Sequence, residues 1–315
     1  ASNYNEYAMS LLKGDDGEYY AVPLGLSYAG YVWANMKYFD KYDLELPTNY
    51  DELKAVCKTF RDNGEYPLVI GAKDSWINID TWMNIAADIN TEKLYSAIEG
   101  ETPFTDEDLV QSFQIWQNCF TDGVFQDGAL GVGMYTDSTD MYQKEGSVPM
   151  ILNGSWSLGA YMDSDEQSQE VYNGEGANHK IFLMDWNNDG KIAPVEEAVD
   201  VSLAINNQSK VKDAAWTFVD WMLHEGADFL INGHLQYMPA RNDMELNVEG
   251  LNENGAENLE YCVEQGKDNV GGYREMAYAE LKETIINELT ELALGDVTPE
   301  EAAETIEAVS QAQER

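Results

Sequence analysis

Short apolar runs alternate with amphipathic helical patterns along most of this chain. Four runs have the length and composition of buried strands; they are YPLVIG (66–71), SVPMILN (147–153), KIFLM (180–184) and VSLAIN (201–206). Helical segments with capping residues surround them, such as TPEEAAETIEAVSQ, where Thr298 and Glu301 form a capping box around Pro299. This alternation predicts helices layered on sheets, which is an α/β fold.

Residues 19–36, YYAVPLGLSYAGYVWANM, carry no charged side chain. Pro23, Gly25 and Gly30 interrupt the stretch, so it does not have the uniform apolar character of a membrane-spanning helix. Its length and its β-branched and aromatic content favour two buried strands instead.

The charge balance limits the ligands that this chain can attract. It contains 58 acidic and 18 basic residues, which gives a net charge of −40, and no cluster of Lys or Arg stands out. Such a surface repels nucleic acid, and it disfavours anionic ligands and anionic membranes. Neutral polar ligands and cations remain, so we expect no nucleic-acid partner.

Residues 185–197, DWNNDGKIAPVEE, match the calcium-loop pattern D-x-[DN]-x-[DN]-G-x5-E at every specified position. The oxygen ligands would come from the side chains of Asp185, Asn187, Asp189 and Glu196 and from the carbonyl of Lys191. The flanks differ from a helix–loop–helix hand, because a predicted strand precedes the loop and Pro194 disfavours an exit helix. A polar hairpin turn at 188–190 is therefore the alternative. We expect a structural Ca²⁺ site that stabilises the loop without touching the ligand.

No catalytic motif stands out in the sequence. His179, His224 and His234 lack metal-ligand spacing, and neither a G-x-S-x-G nor a Walker pattern is present. Carboxylates are so numerous that no pair can be singled out as a glycosidase dyad. The residues therefore favour a binding protein over an enzyme.

Five segments follow one another in a recognisable order between residues 18 and 310. They are YYAVPLGLSYAGYVWANMKYFDKYDLELPTNYDEL, EGSVPMILNGSWSLGAYM, VSLAINNQSKVKDAAWTFVDWMLHEGADFL, HLQYMPARND and LALGDVTPEEAAETIE. Together they resemble the extracellular solute-binding proteins of ABC importers, of the maltose-binding, family 1 sugar-binding type.

The resemblance implies a periplasmic-binding-protein-like, two-lobed α/β fold of type II, with a ligand cleft at the hinge. The family normally has roughly one average domain of further chain before the first of these segments. The resemblance therefore implies an incomplete N-terminal lobe, lacking its first part. Residues 1–24 and 200–243 would be the remnant of that lobe, and residues 25–199 and 244–315 would form the C-terminal lobe.

Two tryptophans and an aspartate are the first ligand-binding candidates that the resemblance implies. Trp156, in NGSWS, follows a strand and a turn, where its ring can stack on the apolar face of a sugar. In DSWINIDTW, Trp76 precedes a predicted helix and Asp74 could accept hydrogen bonds from sugar hydroxyls. The alternatives are core packing for the tryptophans, which we expect for Trp82, and helix capping for Asp74.

Five further residues lie where the resemblance places the cleft. Tyr28 and Asn35 flank its first strand, and Tyr237 and Arg241 lie in the segment QYMPAR. Tyr273, just before a long amphipathic helix, could supply another aromatic wall. For Arg241 the alternative is an ion pair within the protein, which so acidic a chain favours.

The resemblance implies a monomeric, non-enzymatic protein that captures a neutral carbohydrate or oligosaccharide and presents it to the permease of an ABC importer. It would lie outside the membrane, either periplasmic or as a lipid-anchored lipoprotein at the cell surface, with the anchor in the N-terminal part. The opening residues ASNYNEYAMSLLKGDDGEYY lack the pattern of a signal peptide. Two alternatives remain: a calcium-stabilised carbohydrate-active enzyme or enzyme fragment that uses an Asp/Glu pair, and a structural surface protein.

Overall fold

The computed structural model describes residues 3–144, 146–161 and 178–315, and these contain two four-stranded sheets. The strands are β1 (Val22–Ala29), β2 (Tyr31–Asn35), β3 (Leu68–Val69), β4 (Met150–Asn153), β5 (His179–Phe182), β6 (Val195–Leu203), β7 (Met238–Pro239) and β8 (Val270–Tyr273). One sheet has the order β7-β1-β6-β8 and the other the order β3-β4-β2-β5. Both sheets mix parallel and antiparallel pairs.

Ten α-helices pack around the two sheets in the described part of the chain. They are α1 (Glu6–Leu11), α2 (Met36–Tyr42), α3 (Tyr50–Asp62), α4 (Ser75–Ile98), α5 (Glu107–Thr121), α6 (Lys212–Trp221), α7 (Ala227–Ile231), α8 (Glu253–Asp268), α9 (Ala279–Leu294) and α10 (Pro299–Ala312). Three segments are wound as π-helical turns, namely Met134–Ser138, Asp140–Lys144 and Met222–Gly226. Such turns are rare and concentrate at functional sites.

The chain passes from one sheet to the other at Gly30, the single residue between β1 and β2. Gly30 has a φ of +103°, and a Cβ there would overlap the side-chain amide of Asn84 on α4. Only glycine adopts this conformation without strain. The two sheets are therefore joined by a tight connection that packs directly against α4.

The main core surrounds α4, α5 and the second sheet. Trp82 on α4 stacks on Phe113 of α5 with ring centroids 5.0 Å apart, and its indole N–H donates to Ser112. Trp82 is fully buried, which confirms the predicted core role. A smaller apolar cluster, with Val219 and Leu223 at its centre, lies between α6, α7 and β1.

The first sheet leaves an apolar surface open to solvent. A groove of about 690 Å³ lies between the N-terminal segment and α6, and its lining includes Tyr19, Tyr20, Leu203 and Trp216. Tyr20 is 66% exposed and Trp216 is 55% exposed, both high values for large rings. In the described part of the chain, no helix combines the length and the apolarity that crossing a membrane requires.

The α/β prediction is confirmed, and residues 19–36 do form two buried strands. The proposed lobe boundaries at 24/25 and 199/200 fall inside β1 and β6, which are continuous strands of one sheet. In addition, β8 lies in the predicted C-terminal lobe but pairs with β6 of the first sheet. The division into lobes by sequence therefore stays a prediction.

Candidate functional site

Three aromatic rings from separate stretches of the chain meet at one place. Trp76 lies in the first turn of α4, and Trp156 lies in the turn Ser155–Tyr161 that follows β4. Their ring centroids are 5.9 Å apart and the rings meet edge to face. Tyr135, on a π-helical turn, stacks on Trp76 at 5.7 Å. The two tryptophans that the sequence predicts for a cleft are thus neighbours, joined by a tyrosine that it did not predict.

Asp74 positions the segment that carries Tyr135. Its carboxylate accepts the backbone N–H of Met134 at 2.7 Å, and it makes no capping bond to α4. Gly71 lies so close to this segment that a Cβ there would overlap the Met134 backbone. The helix-cap alternative for Asp74 is therefore wrong, and its role as a sugar ligand stays a prediction.

Arg274 lies against the two tryptophans, one residue beyond β8. Its guanidinium carbon is 4.7 Å from the ring centroid of Trp156 and 5.5 Å from that of Trp76. Nε donates to the buried carboxylate of Asp80 at 2.8 Å. Burial opposes the charge on Arg274, but the Asp80 carboxylate keeps the pKa of the guanidinium above its usual value. The result is a cation held between aromatic faces.

A cleft of about 270 Å³ opens beside this cluster. Its lining residues come from five parts of the chain and combine aromatic and polar groups: Tyr135, Trp156, Asp200, Gln236, Tyr237 and Arg274. Asp200, on β6, accepts a hydrogen bond from the hydroxyl of Ser27 on the paired strand β1. Such a mixture of rings and a few fixed polar groups is typical of sites for small polar ligands.

The structure places Trp156 and Tyr237 in the lining of the cleft, as the sequence predicts. Trp76 is not among the lining residues, but its ring contacts Trp156. Tyr28 is buried against α8, where its ring contacts Gly266. Asn35 is also buried, and its side chain caps α2 by accepting the N–H of Lys37. Tyr28 and Asn35 therefore support the fold and do not line the cleft.

The remaining two candidates also point elsewhere. Arg241 makes a two-pronged ion pair with Asp243 and donates to the carbonyl of Leu223, so the structural alternative is the correct one. Tyr273 packs on Tyr95 and donates its hydroxyl to Glu99. Tyr273 is not among the residues that line the cleft, whereas the adjacent Arg274 is.

Four cleft residues escaped the sequence analysis, namely Tyr135, Asp200, Gln236 and Arg274. Asp200 and Tyr135 lie in stretches without a distinctive motif, in a chain with 58 acids and nineteen tyrosines. Arg274 offered the one usable signal. Among only 18 basic residues, an arginine directly after a tyrosine, in GGYR, is a candidate for stacking.

The calcium loop folds as a polar turn that satisfies its own backbone. The Asp185 carboxylate accepts the N–H groups of Asp189 and Gly190, and the side chain of Asn187 also accepts from Asp189. Glu196 lies outside the loop on β6, fully buried, with its carboxyl beside the amide of Asn84. Among the described residues no group of three or more metal-binding side chains is assembled.

The proposed ligand set therefore does not fit this structure, because burial pairs Glu196 with α4 instead of with Asp185. The Lys191 carbonyl and the Asp185, Asn187 and Asp189 side chains would have to bind Ca²⁺ without it. Calcium binding stays a prediction. It would show as a rise in melting temperature when millimolar Ca²⁺ replaces a chelator.

Four carboxyl groups, those of Asp80, Asp88, Glu196 and Glu197, have pKa values that folding raises chiefly through burial. Burial raises the pKa of Asp80 to about 6 and the pKa values of Asp88 and Glu197 to about 7. For Glu196, burial and the nearby Asp80 raise the pKa well above its usual value. Protons are therefore bound by the folded chain in a pH range where the unfolded chain has released them.

We expect the protein to be more stable in mild acid than at alkaline pH. A carboxyl group whose pKa is raised by folding loses stability as the pH climbs from its unfolded value towards its folded value. The free energy of unfolding should therefore be about 2 kcal/mol higher at pH 5 than at pH 8, measured by urea denaturation. Glu197→Gln should flatten the slope. A stability that increases from pH 5 to pH 8 would contradict this assignment.

Gly154 allows the Trp156 ring to fold back over the chain, and a Cβ at this position would overlap the indole. We expect Gly154→Ala to displace the ring from Arg274 and to lower the free energy of unfolding by about 1–3 kcal/mol, as overpacking does. Tryptophan fluorescence should shift together with the urea midpoint. Gly131→Ala is the matched control, because a Cβ there meets no atom within 4 Å. Equal effects of both changes would refute the proposed contact.

Comparison with known proteins assigns this chain to a family, and similar solved structures share its fold. The sequence model described as "Bacterial extracellular solute-binding protein" matches residues 2–228. An uncharacterized ABC transporter extracellular-binding protein of Pyrococcus horikoshii is 32% identical over 63 residues. That match spans 19% of this chain and 14% of the curated relative.

Solved structures similar to this chain have low sequence identity and a common fold. A protein from a study of xylan utilization by Caldanaerobius polysaccharolyticus has a TM-score of 0.81 and 19% identity, with 98% of this chain and 76% of that chain covered. A chitin oligosaccharide binding protein has a TM-score of 0.81 and 18% identity, with 99% of this chain and 75% of that chain covered. A sugar transporter protein of Bacillus licheniformis, in complex with stachyose, has a TM-score of 0.73 and 14% identity, over 99% and 79%.

Proposed function

The chain belongs to the family of bacterial extracellular solute-binding proteins, and from that premise we propose that it binds a neutral carbohydrate for an ABC importer. The ligand would lie in the cleft between Trp156, Tyr237 and Arg274. The bound form would then be presented to the membrane permease. We further propose that the protein acts as a monomer outside the membrane, periplasmic or lipid-anchored at the cell surface.

The observation that carries this proposal is the aromatic cluster of Trp76, Tyr135 and Trp156 at the cleft. Sugar rings expose C–H groups on one face and hydroxyls at the edge. An aromatic face covers the first, and fixed polar side chains such as Asp200 and Gln236 pair with the second. The cleft offers both kinds of contact within one small volume.

The charge of the protein supports a neutral ligand. A net charge of −40 repels anions at long range. Inside the cleft, Arg274 is already balanced by the buried carboxylate of Asp80 and by Asp200 at 3.9 Å. An anionic group would therefore meet two carboxylates for one cation.

The arrangement favours binding over hydrolysis. Glycoside hydrolases use two carboxyl groups on opposite sides of the scissile bond. Among the described residues that line the cleft, Asp200 is the one acid, and it accepts a hydrogen bond from Ser27. A carbohydrate-active enzyme that uses an Asp/Glu pair is the alternative, and we propose that the protein has no such activity.

Calorimetric titration with maltotriose, xylotriose, chitotriose and stachyose tests the proposal. We expect at least one of them to bind with one site per chain and to be recovered unchanged, as chromatography of the incubated mixture would show. Failure of all four to bind would contradict carbohydrate capture. Release of shorter products would establish the enzymatic alternative.

A further inference from the structure

Arg274 is fixed in the cleft more firmly than a surface arginine. Its backbone N–H donates to the carbonyl of Glu197 at 2.9 Å, its Nε donates to Asp80, and the ring of Trp156 covers the guanidinium. The side chain is only 11% exposed. A guanidinium held in this way loses little further freedom when a ligand binds to it.

The two terminal nitrogens of Arg274 have donor capacity to spare. Within the described residues the only hydrogen bond of the side chain is the one from Nε to Asp80. A carboxylate oxygen of Asp200 lies 3.9 Å from Nη1, which is too far for a hydrogen bond. Arg274 lines the cleft, so these N–H groups are available to a ligand there.

Asp200 supplies the complementary acceptor. Its Oδ1 accepts a hydrogen bond from Ser27, which is fully buried and fixes the carboxylate from the strand below. The side chain is 30% exposed and lines the same cleft as Arg274. A fixed donor, Arg274, and a fixed acceptor, Asp200, therefore lie next to each other in the cleft without forming a direct hydrogen bond.

We infer that Arg274 and Asp200 recognise two adjacent hydroxyl groups of the sugar ring that packs on Trp156. One hydroxyl accepts from a terminal nitrogen of Arg274, and its neighbour donates to the carboxylate of Asp200. A hydroxyl can serve either role, whereas a carboxylate or phosphate can only accept and would be repelled by Asp200. This inference rests on the proposed function and specifies its ligand as a neutral saccharide with a vicinal diol.

Two conservative variants test the inference in the intact chain. With the tightest-binding saccharide of the four named above, Asp200→Asn and Arg274→Lys should each raise Kd about ten- to a hundredfold, the range for hydrogen bonds to charged groups. The exposed pair Arg241 and Asp243 provides the matched controls. Arg241→Lys and Asp243→Asn should leave Kd within about twofold.

A double-variant cycle separates recognition from folding. The variant that carries both changes should have a Kd no more than about threefold above that of the single variant with the higher Kd. The two effects should not add, because both groups bind one diol. Asp200→Asn should also bind glucuronic acid more tightly than the unaltered chain, since one repelling charge is gone; a purely structural role would not produce this gain. Ser27→Ala repeats the affinity test without altering either charge.

The outcomes distinguish failure of the proposed function from failure of the diol inference alone. If none of the four saccharides binds the unaltered chain, the proposed function fails and the diol inference fails with it. If a saccharide binds the unaltered chain and the Asp200 and Arg274 variants equally well, only the diol inference is overturned. Tight binding of glucuronic acid by the unaltered chain, lost in Arg274→Lys, would overturn it in favour of carboxylate recognition.

Discussion

Replacing Trp156 with alanine should weaken saccharide binding more than any other single aromatic change in the cleft. Trp156 lines the cleft, contacts Trp76 and covers Arg274, so its loss removes the stacking face and loosens the cation beneath it. We expect a loss of about 2 kcal/mol, which is about thirtyfold in Kd, measured by calorimetric titration with the saccharide that binds best. Trp156→Phe should recover part of the affinity.

Trp221→Ala is the matched control for this change. Trp221 lies on α6, is 48% exposed and is not part of the cleft lining, so its removal should leave the affinity unchanged. If both variants lose affinity equally, binding does not depend on the cleft. If Trp156→Ala binds normally while melting cooperatively, the ring is a packing element and stacking is refuted.

Removing the carboxylate of Asp80 should cause a large loss of stability. Arg274 is paired with this group at 2.8 Å, and both side chains are nearly buried, with 11% and 5% exposed. Asp80→Asn would leave the guanidinium buried with only the weaker influence of Glu275 and Asp200 to balance it. Breaking a buried pair from one side costs about 3–5 kcal/mol, so the urea midpoint at pH 8 should fall markedly.

The stability lost in Asp80→Asn should depend on pH and on the charge of its partner, Arg274. The pKa of Asp80 is raised by burial to about 6, so at pH 5 the carboxyl is largely neutral and the variant should lose less. The double variant Asp80→Asn with Arg274→Met should regain much of the stability, because no lone charge remains. Asp243→Asn, in an exposed pair, should cost less than about 1 kcal/mol. An equal loss for Asp80→Asn and Asp243→Asn would refute the buried-pair argument.

Much of the fold follows from local patterns that act over a few residues. The capping box of Thr298 and Glu301, with Pro299 in the first turn, begins α10 as predicted. The helices α3 and α5 also begin at residues typical of helix caps, because the side chains of Asn49 and Asp106 accept backbone N–H groups of the first turn. The helix α8 carries little apolar signal in the sequence, since the residues that it buries are Gly255, Asn258, Cys262 and Gln265.

The site was less predictable because its residues meet only through tertiary contacts. Trp156 and Trp76 were identified because each follows a strand or precedes a helix in a resembling segment. Arg274 directly follows β8 and Asp200 lies on β6, and the pairing of these strands brings the two residues together. Tyr273 illustrates the limit, because it packs on Tyr95 while the next residue, Arg274, lines the cleft.

The calcium loop shows how a matching sequence pattern can fold as a turn whose side chains accept hydrogen bonds from its own backbone. Asp185, Asn187 and Asp189 form a turn that uses their oxygens for loop N–H groups. Glu196, at the last position of the pattern, belongs to a buried strand and contacts Asn84 instead. The pattern specifies spacing along the chain, whereas the ligand geometry depends on which way β6 faces.

A crystal structure of the chain soaked with its tightest-binding saccharide would test the central claim most directly. The account predicts a sugar ring on Trp156, with adjacent hydroxyls at the terminal nitrogens of Arg274 and the carboxylate of Asp200. A saccharide bound instead in the apolar groove beside Tyr20 and Trp216, with the cleft at Trp156 empty, would contradict it.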